Sequence, residues 1–250
     1  YTRQGDWRPN RFGGEIVDGA LAKTDLKGDA PGREWNAVSV VEVPAHSVTP
    51  QMTEVNRIME SWEAARVVEL AADTFLVDMG RSVTGWTELI FPALQAGQEV
   101  VMEYSDHLDS EEKFVNQRQS DRYLAAGSGE EKFINKFNYH GYRYIRISNL
   151  GEPPLSVKAH LIHTGYRTAG GFHSSDADLN AIHDMIQYTL RCLSLGGDLV
   201  DCPQIERLGY GGDGNASTVT AQMMFDLNPL YRNWLQAWGD CIRDDGGLPH

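Results

Sequence analysis

The chain has 250 residues, 41% hydrophobic and 10% aromatic, which is enough apolar material for one or two folded domains. Its 22 Lys and Arg stand against 35 Asp and Glu, so the formal net charge is -13 at pH 7. This charge repels phosphate backbones and anionic lipid headgroups, and no apolar run is long enough to cross a bilayer, so neither nucleic acid nor a membrane is expected as a partner.

The first part of the chain, residues 1–48, is rich in Gly, Asp and Arg and contains one predicted strand, at 37–43. We interpret it as a connector or as the tail of a preceding domain. Residues 1–11 are polar and lack the apolar core of a signal peptide. The sequence therefore leaves the compartment open among extracellular, periplasmic and cytoplasmic.

The second part, residues 49–167, has the pattern of short strands separated by glycines. Apolar side chains alternate with polar ones, most clearly at Val100, Met102 and Tyr104. Many short strands with few helical stretches are typical of a β-sandwich, which we predict here. The predicted strands are 65–70, 74–79, 86–91, 99–104, 142–148 and 157–162.

The apolar period changes after Gly171, where apolar residues begin to recur at three- and four-residue steps. This period predicts helices at 176–195, 215–226 and 229–243, the first beginning with a capping box of Ser175 and Asp178 and ending before Gly196 and Gly197. Three such helices leave a wide apolar face uncovered, so we expect the natural protein to continue past residue 250. The predicted fold class is α+β and multidomain, with the sandwich followed at 168–250 by the start of a helical domain.

Polar chemistry is concentrated in one loop between the first two predicted helices. It holds three carboxylates, a guanidinium and a phenol ring, at Asp201, Glu206, Asp213, Arg207 and Tyr210. Carboxylates brought together raise one another's pKa, so one of them can keep a proton and donate it, while a ring offers an apolar face to a sugar. Acid-rich loops before helices are also commonly caps and solvated surface, and the residue types alone leave both interpretations open.

This loop resembles the signature of glycoside hydrolase family 78, the bacterial α-L-rhamnosidases, in which a DCPQ-type opening is followed by Glu-Arg, an aromatic residue and Gly-Asp. The resemblance extends to residues 78–86, 104–105 and 137–144 and covers roughly 49–250. It implies a β-sandwich that precedes a catalytic (α/α)6 barrel, of which this chain holds the first helices. It also implies hydrolysis of terminal α-L-rhamnosyl residues from glycosides, oligosaccharides or polysaccharides, without a cofactor, by a protein that can form a homodimer.

The resemblance assigns a role to each residue of the loop. Glu206 matches the general acid, Asp201 and Asp213 match carboxylates that hold rhamnose hydroxyls, and Tyr210 lies where many members have a pocket Trp. Arg207 either binds the sugar or pairs with a neighbouring carboxylate. Members of the family invert configuration, so a general base is expected on a later part of the barrel. The shorter linker before the acid, with Ile205, and the replacement of Trp by Tyr leave the sugar preference open.

The sequence also leaves other functions open. His163, His173 and His183 lie near the domain junction, but ten residues separate the nearer pairs, which is unlike compact metal-ligand spacing. A carbohydrate-binding homologue without catalysis fits the same acidic loop. A polysaccharide lyase fits less well, because such enzymes usually need Tyr/His or Lys/Arg chemistry to handle a uronate carboxylate.

Overall fold

A computed structural model describes residues 2–5, 13–22, 39–43 and 48–248. Within these ranges, no helix has both the length and the apolar character needed to span a bilayer. The strands are β1 (Thr2–Gly5), β2 (Gly13–Asp18), β3 (Asn56–Glu63), β4 (Arg66–Ala71), β5 (Thr74–Phe91), β6 (Glu99–Ser105), β7 (Gln119–Leu124), β8 (Glu131–Ile134), β9 (His140–Ser148), β10 (Ser156–Thr164), β11 (Ser194–Leu195) and β12 (Asp198–Leu199). The helices are α1 (Gly19–Ala22), α2 (Ala177–Leu193), α3 (Gly211–Met224) and α4 (Asn228–Gly239).

Ten of the described strands form one mixed, curled sheet in the order β1-β2-β7-β6-β9-β5-β10-β3, with β4 and β8 also paired to β5. The β2–β7 pair is parallel, whereas the other described pairs of this sheet are antiparallel. The region predicted as a β-sandwich is therefore a single mixed sheet that curls around one core.

The curl depends on β5, an 18-residue strand where the sequence predicted two strands, 74–79 and 86–91. At the expected break, Gly80 adopts φ +83°, and the register with β9 shifts between Asp78 and Val83. Such a bulge bends a strand without ending it. The first half of β5 pairs with β4 and the second half with β8 and β10, so one strand joins the two parts of the curled sheet.

The core lies inside this curl. Alternate residues of β5, β6 and β9 point into it, as the period-2 pattern predicts. Burial of these large apolar side chains supplies the main stabilising free energy of the sheet. Fully buried members include Val77, Leu89, Val100, Met102, Ile145 and Ile147.

The segment interpreted as a connector contributes to the sheet. Strand β2 pairs with β7 through Ile16 opposite Arg122, and Glu15 and Val17 are buried. Residues 13–18 of the segment predicted to be a connector or the tail of a preceding domain are therefore a strand of the sheet. Of the strand predicted at 37–43, residues 37–38 lie outside the described residues, and 39–43 are exposed and form no strand.

The first predicted helix is confirmed as α2, with a different start. Asp176 is the N-cap, and its side chain accepts hydrogen bonds from the N–H groups of Asp178 and Leu179, so the predicted capping box is wrong. The predicted exit is confirmed, because Gly196 and Gly197 adopt φ +73° and +95° in the two-residue turn between β11 and β12.

The second predicted helix starts four residues earlier than expected, at Gly211 instead of 215. The glycines that suggested a loop are needed for packing: a Cβ at Gly211 would overlap the ring of Trp238, and one at Gly214 would lie 2.6 Å from the ring of Trp234. The third predicted helix, 229–243, is α4 and ends at Gly239.

Strands β5 and β10 approach closely at Gly85, because a Cβ at this position would overlap the backbone carbonyl of His160. We expect Gly85→Ala to lower the free energy of unfolding by roughly 1–3 kcal/mol, since the strands must separate to admit the methyl group. Urea unfolding followed by tryptophan fluorescence measures this. Gly171→Ala is the matched control, because a Cβ there meets no atom within 4 Å; equal effects of the two changes would contradict the expected strand contact.

Candidate active site

The acidic segment forms a compact loop, residues 200–210, between β12 and α3; we call it the acid loop. Asp201 closes it twice: its N–H donates to the carbonyl of Leu208 at 2.9 Å, and its Oδ1 accepts from the N–H of Leu208 at 2.9 Å. Its Oδ2 accepts from the thiol of Cys202 at 3.0 Å. Both carboxylate oxygens of Asp201 therefore hold the loop, and each retains a further acceptor position.

Arg207 anchors the acid loop to the sheet. Its Nε donates to the carbonyl of Pro203 at 2.8 Å, Nη1 to Asn138 Oδ1 at 3.0 Å and Nη2 to Gln119 Oε1 at 3.2 Å. The guanidinium also lies over the ring of Tyr139, 4.3 Å from its centroid. These contacts join the loop to strand β7 and to the segment before β9. The acceptors described in these three bonds are neutral groups of the protein, and the two expected roles of Arg207, binding the sugar or pairing with a carboxylate, stay predictions.

Arg207 itself has φ +60°, in the left-handed region. For a residue with a Cβ this conformation costs on the order of 1 kcal/mol. The anchoring hydrogen bonds offset that cost, since bonds from a charged donor contribute about 1.5–3 kcal/mol. The backbone turn therefore persists because the side chain is held.

The surface beneath the loop is itself braced from inside the sheet. The acid loop lies against the backbone of Gly141, where a Cβ would come within 2.9 Å of the nitrogen of Gln204. The buried carboxylate of Glu15 accepts the N–H groups of Lys136, Phe137 and Asn138 at 2.6–3.1 Å. Burial raises the pKa of Glu15, while these three N–H groups oppose the rise. Strand β2 thus fixes the segment that holds Arg207.

Asp121 is a second buried carboxylate in this bracing. It accepts from the N–H of Glu15 at 2.6 Å, from Tyr104 at 2.7 Å and from Asn135 at 2.8 Å, and it lies 2.9 Å from His140 Nε2. Burial alone would raise its pKa, but His140 and these hydrogen bonds bring the pKa below its usual value. Such a group is held ionised by its partners.

Glu206, the predicted acid, is exposed, and Tyr210 contacts it directly. The phenol hydroxyl donates to Glu206 Oε2 at 2.6 Å. Tyr210 therefore holds the carboxyl group in place, a role that the sequence did not indicate. The backbone N–H of Glu206 lies 3.3 Å from the sulfur of Cys202, which fixes the main chain at the same point.

Asp213 lies in the first turn of α3 and is exposed. A negative charge in the first turn of a helix is favoured by the helix dipole. Among the described residues, no side-chain hydrogen bond or ion pair joins Asp213 to Asp201 or Glu206. The structure thus brings Glu206 and Tyr210 together and binds Asp201 and Arg207 into the loop.

Sequence reasoning missed Asp198, a residue of β12. Its carboxylate lies against the backbone of Gly209, where a Cβ would come within 2.7 Å of Asp198 Oδ2. Burial raises the pKa of Asp198 to about 6. The residue gave no signal because it follows two glycines and has the appearance of an ordinary hairpin position. Nearby, Trp234 Nε1 donates to the carbonyl of Gly209 at 3.3 Å and ties the end of the acid loop to α4.

The three histidines near the domain junction lie in separate surroundings. His163 is buried, with Nδ1 2.7 Å from the carbonyl of Thr164. His183 stacks on Phe172, and His173 is exposed. In the part of the chain that the structure describes, no group of three or more His, Cys, Asp or Glu side chains is arranged to hold a metal ion.

Two family models match the chain in succession. The bacterial alpha-L-rhamnosidase concanavalin-like domain matches residues 68–163, and the bacterial alpha-L-rhamnosidase 6 hairpin glycosidase domain matches residues 167–250. The chain is 23% identical over 240 residues to an alpha-L-rhamnosidase of Formosa agariphila, covering 91% of the chain and 25% of that protein. It is 28% identical over 263 residues to an alpha-L-rhamnosidase of Streptomyces avermitilis, covering 97% and 25%. The chain thus spans about a quarter of the length of these relatives.

Solved structures show the same similarity. The alpha-L-rhamnosidase of Dictyoglumus thermophilum matches with a TM-score of 0.82 and 25% identity, over 93% of this chain and 27% of that one. The Streptomyces avermitilis alpha-L-rhamnosidase, solved in complex with L-rhamnose, matches with a TM-score of 0.75 and 26% identity, over 80% and 20%. The similarity spans both the curled sheet and the segment that carries the acid loop.

The hydrogen bonds of Arg207 predict how easily the acid loop opens. In Arg207→Lys the charge stays, but a single ammonium group cannot reach Asn138 and Gln119 together in the same geometry. We expect the amide of Leu208 to exchange its hydrogen roughly 10–100-fold faster, because the loop opens more easily. Hydrogen–deuterium exchange measures this, with Arg57→Lys on β3 as the control. Unchanged exchange in the acid loop would show that the anchor does not hold it.

Asp198 makes a prediction about pH. Its carboxyl group has a higher pKa in the folded protein than in the unfolded chain, where about 3.9 is usual, so its contribution is favourable below pH 4 and is lost as the pH rises through about 6. The Asn side chain of Asp198→Asn cannot ionise. We therefore expect this variant to have a higher free energy of unfolding than the parent at pH 7.5, by roughly 1–2 kcal/mol after screening by solvent, as measured by urea unfolding. At pH 4 the two should be similar. The exposed Asp244→Asn is the control, and a difference that does not change with pH would exclude this explanation.

Proposed function

We propose, because the chain belongs to glycoside hydrolase family 78, that it carries the proton donor of an enzyme that hydrolyses terminal α-L-rhamnosyl residues. The observation that carries the proposal is the state of the acid loop. Its backbone is closed by Asp201 and anchored by Arg207, while Glu206 remains exposed beside Tyr210. A loop fixed on the protein side with one carboxyl group facing solvent is suited to present that group to a substrate.

In the proposed reaction Glu206 protonates the leaving oxygen while the anomeric C–O bond stretches towards an oxocarbenium ion. Asp213 and the spare acceptor positions of Asp201 hold rhamnose hydroxyls, and Tyr210 positions the acid and lines the sugar site. Arg207 holds the loop in place, and a contact of its guanidinium with the sugar stays an expectation of the family resemblance. Inversion requires a second carboxylate about 6.5–9.5 Å away that activates water. We assign that base to a later segment of the whole protein.

The proposal includes an architecture. Helices α2, α3 and α4 are taken as the first helices of an (α/α)6 barrel, preceded by the sheet domain at 49–167, with the helical domain at 168–250. The support is that the two family models change over between residues 163 and 167. Arg167, the last residue of the sheet domain on this division, donates to Asp226 Oδ2 at 2.7 Å.

The test of the acid uses the full-length protein and two rhamnosides. A sugar leaves only if its oxygen is protonated, whereas an activated phenol needs much less help. We expect Glu206→Gln to abolish cleavage of a rhamnosyl disaccharide while sparing part of the activity on an aryl rhamnoside. Asp213→Asn, which weakens binding of rhamnose itself, should lower kcat/KM for both substrates by a similar factor. The measurement is kcat/KM for both substrates with both variants.

Two results contradict the proposal in different ways. If Glu206→Gln lowers kcat/KM for both substrates by the same factor, Glu206 is not the proton donor. If the parent protein binds rhamnosides without turning either over, the chain belongs to a carbohydrate-binding homologue. Arg207→Lys serves as a positioning control, because a misplaced acid lowers kcat on the disaccharide without abolishing it.

A further inference from the structure

A groove of about 590 Å³ lies on the face of the sheet opposite to the core. Leu76 and Asp78 of β5 form part of it, in alternation with the buried Phe75 and Val77. Its other walls are β4, β9 and the loop that follows β6. The volume is within the range of small-molecule sites, about 300–1,000 Å³.

The groove is joined to the acid loop by Asp106. Asp106 Oδ2 accepts from Gln204 Nε2 at 3.0 Å, while Oδ1 accepts from Gln117 Nε2 at 2.7 Å and lies 2.5 Å from His107 Nδ1. Gln204 comes two residues before Glu206, and two residues span at most about 7 Å. One wall of the groove is therefore a single hydrogen bond from the segment that carries the proposed acid.

The charges of the groove nearly cancel. Its charged lining consists of Arg66, Asp78, Asp106, His107, Glu112 and Arg143. Arg143 donates twice to Asp78, at 2.8 and 3.0 Å, and His107 lies beside Asp106. Such a lining has no net positive charge that would attract a carboxylated ligand, and the protein as a whole is acidic. It offers hydrogen bonds to a neutral, polyhydroxylated molecule.

Apolar surface completes the fit. Leu70, Leu76 and Tyr144 line the same groove, so a ring with polar edges and an apolar C–H face meets partners for both. A pyranose has that character. We propose that the groove binds an uncharged sugar residue on the leaving-group side of the scissile bond. This rests on the proposed glycosidase function, because only a cleaved glycoside has a leaving-group side.

The test removes two exposed polar groups of the groove that take no part in the acid loop, through Arg66→Ala and Glu112→Gln in the full-length protein. The substrates are α-L-rhamnosyl-(1→6)-glucose and 4-nitrophenyl α-L-rhamnoside. We expect each change to raise KM for the disaccharide roughly three- to tenfold with kcat nearly unchanged, the loss expected for one hydrogen bond. The aryl rhamnoside, whose leaving group lacks sugar hydroxyls, should be unaffected. Arg57→Ala, on β3 and paired with Glu54, is the matched control.

The outcomes separate the two proposals. If the aryl rhamnoside is cleaved normally and neither variant changes KM for the disaccharide, the groove proposal is overturned and the glycosidase proposal stands. If neither substrate is cleaved by the parent protein, both proposals fail. Equal losses of kcat on both substrates would indicate a disturbed acid loop and would also overturn the binding role. A larger effect of Arg66→Ala on a rhamnosyl glucuronate than on the glucose disaccharide would overturn the assignment to an uncharged sugar.

Discussion

The position of the candidate acid depends on one interaction, the contact of the Arg207 guanidinium with the sheet. Val200 at the start of the acid loop is buried in a small apolar cluster, and the hydrogen bonds between Asp201 and Leu208 close the loop. The orientation of the loop comes from the Arg207 guanidinium, which donates hydrogen bonds to Asn138 and Gln119 and lies over the ring of Tyr139. The segment that carries Asn138 is fixed in turn by Glu15, whose buried carboxylate accepts three consecutive backbone N–H groups, and Gln119 is fixed by its hydrogen bonds with the backbone of Gly141. Removing one partner would leave buried polar groups unsatisfied, which costs more than the hydrogen bond itself contributes.

Much of the fold could be predicted because the side-chain periods are strong. Period 2 located most of the long strands, and period 3.6 located the three long helices. Three of the misses have a common cause, since each depends on contacts distant in sequence. Gly80 was interpreted as a turn, because nothing local shows that β5 continues along β9. The sequence predicts a loop at Gly211, because the contact that requires a glycine there is made by Trp238, 27 residues later. Strand β2 was missed because its partner β7 lies about a hundred residues away.

The candidate site was predictable in its residue types and less so in their roles. The order of residues in the acid loop indicated the chemistry and the family. It could not indicate that Tyr210 bonds to Glu206, because a spacing of four in an irregular loop does not fix a contact. Nor could it show that Arg207 reaches across to residues 119 and 138. Asp198 gave no sequence signal, because its raised pKa comes from burial that only the folded chain creates.

The order of these segments along the chain has a consequence for synthesis. Gln119 and Asn138, which accept hydrogen bonds from Arg207, and strand β2 all precede the acid loop in the sequence. During translation, N-terminal segments leave the ribosome first and domains fold as units. The curled sheet can therefore be complete before residue 207 emerges, and the loop then docks on a finished template instead of searching for its conformation together with the sheet. The left-handed turn at Arg207 is thus imposed late, by a surface already in place.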